Sequence, residues 1–176
     1  MTKTQEVAVK LFMFQVGGNF RNSNVELHDI RFSIGETAED CYADLRSQWW
    51  GDPQSLHLDC WGEVEQADGY DVSLAADGGE PAADRLFFVN LGGYSPTEFT
   101  ELHRNVLIVA RDAAAAKAKA LTLVRDWSLP HKDRLFEVDK AVDLSATLRQ
   151  SGYSIRLAKA SAPKPFVFTC NYVPIA

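Results

Sequence analysis

The sequence lacks most of the features that would place a protein in a functional class directly. It has only three cysteines in 176 residues, and none of them forms a Cys-x-x-Cys pair. This spacing indicates neither a disulfide framework nor a zinc knuckle. We therefore expect Cys41, Cys60 and Cys170 to be reduced, mostly buried thiols, which is typical of a cytoplasmic protein.

Long apolar runs are also missing. The run near the N-terminus, residues 11–16, is too short for the apolar part of a signal peptide or for a membrane span. We therefore expect a soluble protein with no membrane partner.

An excess of basic residues is absent too, since the net charge is −6. This argues against nucleic acid as a partner, because neutralisation of phosphates dominates that affinity. The charge is unevenly distributed: residues 1–80 have five basic and 15 acidic side chains (−10), whereas residues 81–176 have 13 and nine (+4). Opposite signs favour docking of the two halves on each other, or association of chains into a homo-oligomer.

Motifs for cofactors and catalysis are not found. Gly17-Gly18 and Gly92-Gly93 each end a predicted strand, but no dinucleotide-binding or Walker pattern follows them. No nucleophile elbow, Ser-His-Asp order or catalytic Cys-His motif is present. The sequence thus predicts no cofactor, and it leaves open whether the protein is an enzyme.

What the sequence does contain is an internal repeat. Leu11-Phe12, Gly17-Gly18 and Glu26-Leu27-His28 recur without a gap as Leu86-Phe87, Gly92-Gly93 and Glu101-Leu102-His103, which makes seven identities in 18 positions. Further matches follow in the same order, up to Gly69-Tyr70 with Gly152-Tyr153. We interpret this as a tandem duplication with a first unit at 1–76, a linker at 77–85 and a second unit at 86–176.

Hydrophobic patterning within one copy predicts strand, strand, helix, strand, strand. Thr37 and Asp112 are the predicted helix caps, and Ala38, Cys41, Leu45 and Trp49 mark a buried helix face. Asp68-Gly69 predicts a hairpin turn, and residues 165–175 predict a closing strand. The expected fold is α+β, with two layers, a mixed sheet, pseudo-twofold symmetry and this extra C-terminal strand.

The four histidines are the main chemical signal, because all of them fall at matched positions of the repeat. Each has an acidic residue two positions away, and residues two apart on a strand face the same side. The candidate site residues are therefore Glu26, His28, His57 and Asp59 in the first copy and Glu101, His103, His131 and Asp133 in the second. If the second and third strands are parallel neighbours, about 4.8 Å apart, the two histidines of a copy come within ligand distance. By alternation, His28 shares the face that carries Phe32 and Ile34 into the core.

Three roles are compatible with these clusters. An acid that holds its histidine by one hydrogen bond would seal the rim of the core, and this structural role is favoured because both short patterns are common. The same groups could bind a ligand or act as an acid–base pair. Two imidazoles with carboxylates are also a donor set for a transition metal, although we predict no metal ion. An exposed Trp50 would instead indicate a partner surface.

Three segments resemble a small family of bacterial proteins whose domain occurs in one or two copies and has no assigned function. They are residues 11–18 with Glu26-Leu27-His28-Asp29, residues 49–61, and residues 168–174. The resemblance covers nearly the whole chain. It implies a bacterial, cytoplasmic protein and supplies no catalytic residues. The second copy has Arg104 where the first has Asp29, so the two copies need not be equivalent.

Together these observations favour a non-catalytic tandem-repeat module that binds a small ligand or a protein partner. The alternative is a metal-dependent hydrolase, or another enzyme, in which the histidines hold the metal and a carboxylate acts as base on a bound water.

Overall fold

The apolar run near the N-terminus forms a central strand in the computed structural model, which describes residues 9–76, 83–124, 129–130 and 141–176. In chain order the strands are β1 (Lys10–Gly18), β2 (Leu27–Gly35), β3 (His57–Glu63), β4 (Gln66–Ala67), β5 (Tyr70–Ala75), β6 (Arg85–Tyr94), β7 (Glu101–Ala110), β8 (Leu129–Pro130), β9 (Ala141–Asp143), β10 (Ser154–Lys159) and β11 (Thr169–Pro174). The α-helices are α1 (Tyr42–Gln48), α2 (Ala113–Leu121) and α3 (Leu144–Arg149). Single 3₁₀ turns span Glu39–Cys41, Pro53–Ser55 and Thr122–Val124. The predicted α+β class is confirmed.

The chain divides into two units. The first consists of Met1–Gln66 and Pro163–Ala176, and the second of Ala67–Ala162. This division differs from the predicted bounds, because β5 pairs with β10 and β11 pairs with β3. Most of the predicted linker lies outside the described residues.

The first unit is a four-stranded sheet in the order β11-β3-β1-β2. β1 pairs antiparallel with both β2 and β3, and β11 pairs antiparallel with β3. The expectation of a mixed sheet with β2 and β3 as parallel neighbours is therefore wrong. These two strands do run in the same direction, but β1 lies between them.

One face of this sheet packs against α1. The four residues predicted for the buried helix face, Ala38, Cys41, Leu45 and Trp49, are all buried and join an apolar cluster with Phe12, Phe14, Val16, Leu56, Leu58 and Ile175. Only Leu45 lies within α1, because a 3₁₀ turn forms the first part of the predicted helix. Asp40 accepts a hydrogen bond from the Thr37 amide at 2.8 Å, but no side chain caps the 3₁₀ turn at Glu39–Cys41. The Thr37 hydroxyl donates to the same carboxylate at 2.9 Å, so Thr37 acts here as a donor to Asp40 and not as the predicted acceptor cap.

The parity expected for β2 is wrong on this face. Phe12 and Phe14, which face α1, pair with Ser33 and Arg31 across β1–β2. Ser33 is accordingly buried and donates a hydrogen bond to Asp44 of α1 at 2.6 Å. Because residues directly opposite in a sheet share a face, Phe32 and His28 lie on the opposite side of the sheet.

The second unit contains two small sheets. In one, β6 pairs antiparallel with β7, β8 and β9, and in the other the order is β10-β5-β4. The predicted turn at Asp68-Gly69 joins β4 to β5, with positive φ at both residues as a tight hairpin requires. An apolar cluster forms where Ala116 and Ala120 of α2 pack against Phe87, Val89, Leu91 and Ile108.

None of the helices in the described parts of the chain is both long and apolar enough to cross a membrane.

The predicted cap of α2 allows a direct stability test. Asp112 accepts a hydrogen bond from the Ala115 amide at 2.8 Å. We expect Asp112→Ala to lower the free energy of unfolding by about 1 kcal/mol, whereas Asp112→Asn keeps an acceptor and should stay close to wild type. Urea unfolding followed by circular dichroism measures both, and an equal loss in the two variants would contradict the capping role.

Candidate binding site

Gly17 is the residue over which the candidate side chains of the first unit meet. It pairs with His28 of β2 on one side and with His57 of β3 on the other. A Cβ placed on Gly17 would lie 2.6 Å from His57 Nε2, 3.1 Å from Asp59 Oδ2 and 3.1 Å from His28 Cδ2. The bare backbone of β1 therefore allows side chains from the two flanking strands to approach each other. We call Glu26, His28, His57 and Asp59 the Gly17 cluster.

His57 is the buried centre of the cluster, with 3% of its side chain exposed. Its Nδ1 lies 2.8 Å from the Ser55 carbonyl oxygen. Its Nε2 lies 2.9 Å from Glu26 Oε1 and 3.5 Å from Asp59 Oδ1. The Ser55 carbonyl only accepts hydrogen bonds, so Nδ1 is the donor in that contact, while Nε2 faces oxygen atoms of both carboxylates.

Asp59 connects the two histidines. Its position results from a β-bulge, since the register between β1 and β3 shifts after Gln15 and leaves Asp59 as the extra residue. Asp59 Oδ2 lies 3.4 Å from His28 Nε2, yet this buried oxygen has no hydrogen-bond partner among the described residues. The contact is therefore a close approach of the two groups and not a hydrogen bond, which depends on the alignment of donor and acceptor.

The exposed members of the cluster are Glu26 and His28, with 40% and 45% of their side chains exposed. The structure thus brings together all four residues predicted for the first copy. β1 lies between the two strands that carry them, so the prediction that these strands are direct neighbours is wrong. The four residues nevertheless lie close together.

In the second unit only part of the predicted set lies within the described residues. His103 faces Gly92 across β6–β7, as His28 faces Gly17 in the first unit. Its Nε2 lies 3.7 Å from Glu101 Oε2. His131 and Asp133 are outside the described residues, so the prediction that they complete a second cluster stays a prediction.

Tyr172 also lies at the cluster, although no pattern in the sequence pointed to it. Its ring lies over His57, with 4.3 Å between the ring centroids, while 64% of the residue is exposed. The predicted closing strand at residues 165–175 is the signal that could have found it. Nothing in that segment, however, shows which strand it pairs with.

The prediction of three reduced cysteines is wrong for two of them. Cys60 of β3 and Cys170 of β11 are register partners and form a disulfide, and 110 positions separate them in the chain. Spacing could not reveal the pair, because the two strands meet only in the folded sheet. Cys41 is a free, buried thiol as expected, and burial raises its pKa to about 11. A cytoplasmic location stays a prediction, and it no longer has support from unpaired thiols.

The two tryptophans at the end of α1 differ in exposure. Trp49 is buried and donates from Nε1 to the Asp52 carbonyl. Trp50 is 46% exposed, stacks on Trp49 and contacts Phe20 edge to face. The sequence predicts a partner surface if Trp50 is exposed. This condition is met, and the partner surface stays a prediction.

Comparison with known proteins links the chain to a family without an assigned function. Residues 23–74 match a family described as Domain of Unknown Function (DUF1543), and this range includes the whole Gly17 cluster. The predicted resemblance to a family of uncharacterised proteins is thereby confirmed. The number of domain copies and the bacterial origin stay predictions.

A solved structure is similar over nearly the full length. It is the crystal structure of a protein Il1583 from Idiomarina loihiensis, which has 28% sequence identity and a TM-score of 0.68. The similarity covers 96% of this chain and 99% of that chain, so it includes the sequences of both units. No curated protein matches the chain.

Removal of each histidine tests their unequal burial. We expect His57→Ala to lower the free energy of unfolding by about 2–4 kcal/mol, because it leaves a void and two carboxylates without their donor. His28→Ala should cost less than about 1 kcal/mol, since exposed ion pairs contribute little. Urea unfolding of both variants measures the difference, and equal losses would show that His57 is not the centre of the cluster.

A double-mutant cycle tests the role of Gly17. Gly17→Ala should cost about 1–3 kcal/mol, because its Cβ would overlap the side chains of the cluster. In a His57→Ala background the same change should cost much less, since the nearest obstructing atom is gone. Urea unfolding of the four proteins gives the coupling energy. Purely additive effects would mean that the glycine is needed for another reason.

Proposed function

We propose that this chain is a non-catalytic binding protein and that the Gly17 cluster is its binding site for a small cationic ligand. The observation that carries this proposal is the convergence of four ionisable side chains from two segments on one glycine. Two of these side chains are about half exposed, so a ligand can reach them from solvent. Convergent polar groups beside apolar surface are the usual composition of a ligand site.

The charge of the ligand follows from the acceptors. Glu26 and Asp59 supply two carboxylates, and within the parts of the chain that the structure describes Asp59 Oδ2 has no hydrogen-bond donor. The first unit as a whole has six basic and 11 acidic side chains, a net charge of −5. A ligand with an ammonium group would complement the overall charge of this unit and could donate hydrogen bonds to these carboxylates.

Tyr172 supports the same ligand class. Its exposed ring borders the cluster, and the face of a tyrosine ring attracts cations. The neighbouring Phe166 and Phe168 are 42% and 59% exposed and stack on each other. A cation with an apolar part would therefore find contacts for both of its parts.

A binding role is favoured over catalysis because the nearby hydroxyl is already engaged. Ser55 Oγ donates to the Asp52 carbonyl at 2.8 Å and accepts from the Asn19 amide at 2.8 Å. An activated nucleophile would instead need a base within hydrogen-bond reach. The alternative of a metal-dependent hydrolase gains no support, since the parts of the chain that the structure describes contain no group of three His, Cys, Asp or Glu residues placed to hold a metal ion.

We also propose that the two halves arose by duplication. The β1–β2 and β6–β7 hairpins have the same register, with the residue pairs Leu11–Ile34 and Leu86–Val109 at equivalent positions. The strands that the repeat equates, β5 and β10, pair with each other. Their matched glycines have nearly the same φ, +82° at Gly69 and +81° at Gly152. These features support duplication of one ancestral unit. We propose pseudo-twofold symmetry between the two copies, of which the second has diverged.

The ligand class can be tested with two probes of similar size and opposite charge. We expect 2-phenylethylamine, but not phenylacetate, to shift the amide signals of Gly17, His28 and Tyr172 in a saturable ¹H–¹⁵N titration of the full chain. Glu26→Gln removes one carboxylate charge with little change in shape and should weaken this binding about tenfold, which corresponds to about 1.4 kcal/mol.

Glu36→Gln is the matched control, because it removes the same charge from an exposed position just after β2. It should leave the titration unchanged. Binding of phenylacetate at the same amides would contradict the cationic class. Absence of saturable shifts with either probe would contradict a small-ligand site and favour a protein partner at the exposed aromatic residues.

A further inference from the structure

The C-terminal strand supplies both a covalent link and an aromatic cover to the Gly17 cluster. Cys170 of β11 is bonded to Cys60 of β3. Cys60 faces Gln15 across β1–β3, and Gln15 precedes Gly17 by two residues. Alternation along β1 therefore places the disulfide on the same sheet face as Gly17. The sulfur atoms and the cluster share one surface of the first unit.

Tyr172 is held between two anchors. The register of β11 on β3 shifts between Cys170 and Val173, so Asn171 and Tyr172 lie outside the regular pairing. On one side is the disulfide at Cys170. On the other side Ile175 is buried, and its amide donates to the Leu56 carbonyl at 3.0 Å. Regular strand pairing does not hold Tyr172 itself, so its position over His57 depends on the segments that flank it.

The covalent anchor is accessible from solvent, whereas the other one is not. Cys170 is exposed, and the apolar residues 166–168 that precede it are exposed as well. A thiol in solution can therefore reach the bond. Ile175 would keep the end of the strand in place after that bond is broken.

We propose that the Cys60–Cys170 disulfide is a redox-sensitive clasp that keeps Tyr172 over His57 and thereby controls access to His57, the buried centre of the Gly17 cluster. This inference rests on the proposed function in its choice of site. It is tested without a ligand, so its failure and that of the binding proposal can be distinguished.

The reaction is thiol–disulfide exchange with a dithiol. A thiolate of the dithiol attacks the sulfur of Cys170, which is the more exposed of the two cysteines, a mixed disulfide forms, and Cys60 leaves as a thiolate that takes up a proton. The second thiol of the dithiol then displaces Cys170, which is also protonated. The protein gains two electrons and two protons, and the dithiol becomes a disulfide.

Carbethoxylation of histidines by diethyl pyrocarbonate, followed by peptide mass spectrometry, reports access to His57. We expect slow modification in the oxidised protein and modification about tenfold faster after dithiothreitol treatment, as local opening of the segment becomes easier. His28 is exposed in the oxidised structure and serves as the internal reference. Hydrogen exchange should quicken at residues 169–172 and stay slow at the Ile175 amide.

Two variants mimic the open form by different routes. Cys170→Ser should make His57 reactive without reductant, and Tyr172→Ala should do so while the disulfide is intact. Should Cys170→Ser fail to fold, reduction and reoxidation of the wild-type chain gives the same comparison.

Iodoacetamide should label Cys60 and Cys170 after reduction and leave Cys41 unlabelled, because burial of that thiol raises its pKa. Unchanged His57 reactivity on reduction would overturn the proposal, as would three free thiols in the protein purified under air.

Discussion

The absence of a side chain at Gly17 is the constraint on which the polar end of the first unit depends. β1 separates β2 from β3, so their backbones lie about 9–10 Å apart. A Cβ on Gly17 would stand 2.6 Å from His57 Nε2, in the space where side chains of the two strands now meet. Because Gly17 has no side chain, side chains from β2 and β3 can meet over the central strand β1, which would normally keep them apart.

His57 makes this arrangement energetically acceptable. A buried carboxylate without a donor is costly, and a buried charge is tolerated only when it is paired and hydrogen-bonded. One imidazole meets acceptors at both nitrogens, and it links Glu26, which directly precedes β2, to Ser55 and Asp59 around β3. Because these contacts cross the sheet, His57 ties the β1–β2 hairpin to the strand on its other side.

The membership of this site could be predicted from the sequence, but its geometry could not. The repeat singled out the two histidines and their acids, since a pattern that occurs twice is stronger than either occurrence alone. Helical spacing likewise predicted the buried face of α1 correctly. Alternation along β2, however, cannot tell which of its two faces the helix covers, and Ser33 and not Phe32 proved to face α1. The disulfide and Tyr172 depend on which strand β11 pairs with, which local pattern does not encode.

The two faces of the first sheet therefore differ in what covers them. One is filled by α1, while the other holds the cluster, the disulfide and the ring of Tyr172. If a ligand binds more tightly once Tyr172 has moved from His57, and if reduction makes that movement easier, ligand and reductant favour the same state. Thermodynamic linkage then requires reciprocity: a ligand that binds the reduced protein more tightly must also make the disulfide easier to reduce, by the same free energy. Affinity and redox state would then be two measures of a single conformational equilibrium in the C-terminal strand.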